Sequence, residues 1–156
     1  MKIVFAADHR GYALKEELKK HFAGKGYEIE DVGALTPDEE DDYTDFAYPA
    51  AVGVAANPTG SRGIFLCGSG VGMDVVANKV KGIRATVGYS RESVAHARAH
   101  NDVNVITLAG DMLSVPEAVD IAETFLKTDF SNEARHARRL RKLAEIEERH
   151  FAKGND

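Results

Sequence analysis

Tryptophan is absent, cysteine occurs once, and proline occurs four times in 156 residues. A lone cysteine excludes an internal disulfide and a cysteine-rich zinc site, and it suits a reducing cytosol. No stretch approaches the roughly 18 apolar residues of a membrane span. The opening run "KIVFAA" is too short for the apolar core of a secretion signal and lacks a small-residue cleavage pattern. Positive charge is in deficit, with 20 Lys and Arg against 25 Asp and Glu and a net charge of -5. A general nucleic-acid binder is a poor fit to that balance unless one face is locally basic. These absences predict a cytoplasmic protein with neither a membrane nor a nucleic-acid partner.

What is present is ordinary globular material. Hydrophobic residues make up 44% and charged residues 29%, and the length suits one well-cored domain over 1–156. Short apolar runs at 2–7, 27–33, 62–68, 83–89 and 104–110 read as strands. Longer amphipathic runs at 11–26, 46–58, 71–80, 90–100, 114–128 and 132–150 read as helices, with Ser90 and Ser114 as caps. Strands alternating with helices imply parallel pairing through right-handed crossovers. The predicted fold is therefore α/β, a Rossmann-like doubly wound three-layer sandwich of about five parallel strands, closed by a C-terminal helix. Such sheets bind ligands beyond the carboxyl ends of their strands. Asp8-His9, Cys67-Gly68-Ser69 and Gly88-Tyr89-Ser90 fall at those ends.

Cys67 ends an apolar strand and is followed by Gly68, Gly70 and Gly72 in "CGSGVGM". A buried cysteine is commonly just a small hydrophobe. Here the glycines leave backbone N–H groups bare, and a helix begins directly after them. Such a nest gathers anions and favours a thiolate, which is a nucleophile or a base. The pattern is G-x-G-x-G, which is neither the dinucleotide fingerprint nor the P-loop, and no acid ends the next strand to hold a ribose. His96 and His100 stand four apart, a metal-ligand spacing, but no glutamate follows His96 and no third ligand is suitably spaced. No cofactor or metal is expected. Arg135 and Arg139 share a helix face, either as solvated charge or as two guanidinium forks for a phosphate. The acidic run "DEEDD" at 38–42 reads as a solvated loop that a phosphate site would keep at a distance.

Taken together, "DHRG" (8–11), "CGSGVGM" (67–73), "ANKVKGIRA" (77–85), "HNDVNV" (100–105) and "RHARR" (135–139) resemble, in order and spacing, the motifs of one family. That family comprises ribose-5-phosphate isomerase B and the galactose-6-phosphate isomerase subunits, and the likeness runs from Lys2 to about Arg149. The resemblance implies an aldose–ketose isomerase that works through an enediolate without metal. It places Cys67 as the base between C1 and C2, with Ser69 assisting proton movement at the oxygens. Gly68, Gly70 and Gly72 would surround the enediolate as an oxyanion hole. His100 with Asp8 would open the furanose ring. His9, Arg135 and Arg139 would bind phosphate, Asn101 would contact the sugar, and Tyr43 would line the site. It also implies a homodimer or tetramer whose sites are shared between subunits.

Three positions depart from the family pattern. Asp111 stands where an arginine is frequent near the phosphate, Arg10 is bulkier than the usual residue, and Asp74 replaces a frequent serine. These departures leave the proton-transfer set intact and touch the substrate end, so the isomerisation is the expected reaction, with ribose 5-phosphate to ribulose 5-phosphate as the case that the resemblance implies. The alternatives are another aldose phosphate (galactose, allose or a tetrose), or a non-catalytic sugar-phosphate binder. A Cys–His hydrolase or phosphatase is disfavoured because no arginine stands six residues after Cys67, where Met73 is found.

Overall fold

The strand β1 (Lys2–Ala7) sorts its side chains strictly by parity. Ile3, Phe5 and Ala7 enter one hydrophobic core, and Val4 and Ala6 enter another on the opposite face. That is how a parallel strand covered on both sides behaves. In this computed structural model, which describes residues 1–151, four more strands join it: β2 (Glu28–Asp31), β3 (Ser61–Cys67), β4 (Ala85–Val87) and β5 (Val105–Ala109). They form one parallel sheet in the order β2-β1-β3-β5-β4. The first core lies under helices α1 (Tyr12–Phe22), α4 (Arg91–Asn101) and α5 (Val115–Lys127), and the second under α2 (Tyr43–Ala56) and α3 (Val71–Ala77). The doubly wound three-layer architecture is therefore the one expected. A final helix, α6 (Ala134–Phe151), packs on α4. The last five residues of the domain expected over 1–156 lie outside the described residues.

Boundaries moved where local chemistry outweighed periodicity. The first helix stops at Phe22 because Gly24 and Gly26 turn the chain at φ 76° and 83°. The second starts at Tyr43 and not at Phe46, since Asp42 is still extended and Asp45 sits favourably in the first turn. Ser90 and Ser114 cap their helices as expected, each in a reciprocal capping box with Ser93 or Glu117.

The strand order places the site. The chain leaves β1 in one direction to form β2 and then crosses to β3 on the other side, so the switch point lies between β1 and β3. Clefts in open parallel sheets form at such points. The turn after β1 presses directly on the end of β3. A side-chain carbon at Gly11 would sit 2.5 Å from the Leu66 backbone, so only glycine fits there.

Candidate active site

A cavity of about 380 Å³ opens at this switch point. Asp8 and His9 enter it from the end of β1, Cys67, Gly68, Ser69 and Gly72 from the end of β3, and Tyr43 from the start of α2. Seven of the residues picked from sequence thus share one wall-to-wall space. Cys67 is the free thiol of the chain and is 5% exposed.

The loop after Cys67 has a backbone reason for its glycines. Gly70 caps α3 in the left-handed region at φ 80°, which other residues rarely adopt. It sits behind the loop against Leu108 and does not line the cavity. Ser69 Oγ accepts from the Val71 N–H at 3.3 Å. The N–H groups of Gly68, Ser69 and Gly72 donate to no acceptor among the described residues. The Tyr43 ring packs against Gly72. The end of β5 is stitched to this loop by Gly110 N–H to the Cys67 carbonyl (2.8 Å) and Asp111 N–H to the Gly68 carbonyl (3.1 Å).

Asp8 is buried, and its Oδ1 accepts from the N–H groups of Arg10 and Gly11, both at 3.0 Å. Burial pushes its carboxyl above the ordinary range, against the pull of those two bonds. His9 is held through both its backbone N–H (3.1 Å) and its ring Nδ1 (2.6 Å) by one oxygen of Asp41. This corrects the reading of 38–42 as a solvated loop kept away from the site. Asp41 lines the cavity, with its side chain only 10% exposed. The loop is brought in by a tether. Lys15, fully buried on α1, donates to both oxygens of Asp31 at the end of β2 and to the Ala34 carbonyl at 2.7 Å. Nothing local in "DEEDD" marks Asp41, whose partner is 32 residues away.

Arg10 and Asp111 also line the cavity, and they form an ion pair. The pair lies over Gly68, where a side-chain carbon would fall 2.7 Å from the Asp111 carboxylate and 2.8 Å from the Arg10 guanidinium. The acid that replaces a frequent arginine is thus neutralised within the same chain.

The remaining residues picked from sequence lie elsewhere. His100 and Asn101 end α4, a helix that runs back from the carboxyl edge of the sheet to its amino edge. The strand that follows begins with Val105 beside Gly63 and reaches Cys67 only at Ala109. Four residues of strand, about 13 Å, separate the two edges. His100 therefore does not meet Asp8 within one chain. It stands in a stack of rings, with centroids 5.2 Å from His96 and 4.4 Å from His136. His136, buried on α6, shares a 2.7 Å hydrogen bond with Ser131 Oγ through Nδ1. Burial first, and the neighbouring His100 second, hold His136 below the ordinary histidine range. Arg135 and Arg139 flank it on the exposed side of α6, Arg135 paired with Glu133 at 2.9 Å. His136 was not singled out from sequence, although it sits inside "RHARR" as the one buried residue of α6.

Parts of two motifs, Asn78 and Arg84 in one and Asp102 and Asn104 in the other, serve as scaffolding. Asn78 bonds the Ala85 N–H and carbonyl, Asn104 bonds the Arg84 N–H and the Gly82 carbonyl, and Arg84 and the buried Arg98 both grip Asp102. Together they pin β4 to the ends of α3 and α4. Among the described residues, no helix is long and apolar enough to cross a membrane.

Comparison with known proteins converges on one family. Residues 3–143 match the family model described as Ribose/Galactose Isomerase. The chain is 43% identical over 152 residues to ribose-5-phosphate isomerase B of Mycobacterium tuberculosis, covering 97% of this chain and 93% of that one. It is 36% identical over 160 residues to 4-deoxy-4-sulfo-D-erythrose isomerase of a Clostridium species, covering 99% and 100%. Among solved structures, ribose-5-phosphate isomerase B of Mycoplasma genitalium with bound ribulose-5-phosphate superposes with a TM-score of 0.90 at 37% identity, covering 94% and 96%.

Proposed function

Because the chain belongs to the ribose/galactose isomerase family and is an aldose–ketose isomerase of sugar phosphates, we propose that it interconverts ribose 5-phosphate and ribulose 5-phosphate with Cys67 as the base. The observation that carries this reading is the placement of the one thiol, buried at the end of β3 beside unengaged backbone N–H groups. After ring opening, the Cys67 thiolate takes the proton from C2, and the electron pair moves onto the C1 carbonyl to give the enediolate. The thiol then returns the proton to C1 while the carbonyl forms at C2. A sugar C–H is a weak acid, so the step requires the developing oxyanion to be stabilised. The N–H groups of Gly68, Ser69 and Gly72 are suited to that, with Ser69 Oγ moving protons between the oxygens. His9 would take the phosphate, and Tyr43 would wall the cavity.

His100, Asn101, Arg135 and Arg139 lie at the opposite edge of their own sheet. In this reading they serve a second copy: His100 opens the ring next to that copy's Asp8, and the two arginines complete its phosphate site. A two-fold pair makes each chain both donor and recipient of half a site.

A second reading keeps the reaction and changes the sugar. It is favoured by the Arg10–Asp111 pair, which occupies cavity space over Gly68, and by the relative that acts on a four-carbon sulfonate. A panel of ribose, allose, galactose and erythrose phosphates, run on the wild type and on Cys67→Ala, separates the two. Turnover of ribose 5-phosphate that vanishes in a folded Cys67→Ala protein is the expected result. Turnover of a tetrose phosphate alone would favour the second reading. Full activity of the alanine variant would remove Cys67 as base.

A further inference from the structure

Asp41 is placed unlike its four acidic neighbours in 38–42. Its side chain is nine-tenths buried, and its Oδ1 takes two hydrogen bonds from a single residue, His9. Its Oδ2 is buried and has no partner among the described residues. Leaving a buried carboxylate oxygen unsatisfied costs stability. The arrangement therefore makes little sense as a device for holding the loop, which Lys15 already tethers at Ala34. It makes sense at a ligand site, where the fixed ring nitrogen leaves the other one for an anion.

We propose that Asp41 is a positioning residue which orients the His9 ring and favours its imidazolium form, so that the cavity presents a cation to the substrate phosphate. The proposal rests on reading the cavity as a sugar-phosphate site. The groups facing His9 are few. Asp41 approaches from the acidic loop, Asp8 and Arg10 from the turn after β1, and Asp111 from the end of β5, where it neutralises Arg10. Cys67 and Tyr43 complete the wall. The Asp41 hydrogen bond lifts the ring above the ordinary histidine value. Partial burial opposes it, the charges of Asp41 and Asp8 reinforce it, and Arg10 works against it. With Arg10 occupied by Asp111, His9 is the cation of this half-site that a phosphate can claim.

The test is a histidine-ring NMR titration of the full chain, with His9 assigned by the loss of its signal in His9→Gln. His9 is expected to titrate above the ordinary histidine value of about 6.5 in the wild type. In Asp41→Asn, which keeps an oxygen acceptor but no charge, it should fall back toward that value. Asp41→Glu should restore part of the shift. A kinetic signature accompanies it: the pH at which KM for ribose 5-phosphate begins to rise moves down with the His9 midpoint in Asp41→Asn. Inorganic phosphate, as a competitive probe, should lose affinity in that variant only above the new midpoint. Coincident His9 titrations in the two proteins, or a wild-type midpoint at or below 6.5, would overturn the proposal. The wild-type titration decides it even if Asp41→Asn fails to fold. Absence of turnover on every sugar phosphate would defeat the functional reading instead, and the titration would still report on Asp41.

Discussion

The two edges of the sheet are built on different principles. The carboxyl edge holds Cys67, Asp8 and His9 on short turns after strands, locked by main-chain bonds and by a glycine that touches the neighbouring strand end. The amino edge holds His100 and Asn101 at a helix end and Arg135 and Arg139 on the exposed flank of a terminal helix, joined mainly through a stack of imidazoles. The first edge gathers its groups around one cavity, whereas at the second only Asn101 lines a cavity, of about 390 Å³ and shared with Arg84, Leu143 and Glu147, while His100, Arg135 and Arg139 are exposed outside it. On the function proposed above, the difference separates chemistry that must be rigid, proton transfer at carbon, from chemistry that can arrive from a second copy, ring opening and charge neutralisation.

The sharpest way to break this comparison is subunit mixing. Cys67→Ala and His100→Asn should each lose about 10²- to 10⁴-fold in turnover, the range of a general acid or base. Co-refolding equal amounts should then restore about a quarter of the wild-type activity, because half the two-fold pairs are mixed and each has one intact site. No recovery in the mixture would mean that both residues act within one chain, contrary to the separation of the edges.

Next in size is the Lys15 tether. Lys15→Met leaves Asp31 with Lys19 but strands the Ala34 carbonyl and removes a buried charge pair. Denaturant unfolding should show a loss of about 3 kcal/mol. The phosphate-binding pH profile should also shift, since Asp41 is carried on the loop that Lys15 holds. A loss of stability with an unchanged profile would show the loop to be positioned by other means.

Acid should act oppositely on the two edges. His136 is held below the histidine value in the fold, so the unfolded chain binds the extra proton first. The stability it contributes is present above about 6.5 and is lost as pH falls through its folded value. His9 is raised, so its contribution is complete below about 6.5 and fades as pH climbs through its folded value. Hydrogen exchange across pH 5 to 8 should therefore show α6 loosening toward acid while the 38–42 loop tightens. A parallel response at both edges would contradict this. The smallest effect belongs to Asp111→Asn, which frees Arg10 without touching the thiol. KM for the phosphate should fall several-fold with kcat unchanged.

Nearly all of the architecture was legible in sequence because each strand and helix carries its own period and its own stop signals. Ser90 and Ser114 announce their helices, and Gly24 and Gly26 end one. The site was legible where the chain itself brings residues together: "DHRG" and "CGSGVGM" each sit on one strand end, and fold logic alone puts those ends side by side. Asp41 was misread because its role depends on a contact across 32 residues and on a tether from Lys15, neither of which leaves a local pattern. The resemblance pairs His100 with Asp8 and also implies sites shared between subunits. The direction of α4 puts His100 at the other edge, a fact of topology that spacing alone does not convey. His136 was passed over because a charged helix hides its one buried member.

The fit of Gly11 against Leu66 has a consequence for how such a molecule can change over generations. With no room for even a methyl group between these strand ends, the backbone around the thiol cannot drift. Altering what the cavity accepts must be done by exchanging the fittings mounted on that frame, at positions such as 10 and 111, where one charged pair already stands. On the proposed reading, the frame holds the reaction constant and the parts mounted on it are where the choice of sugar is made.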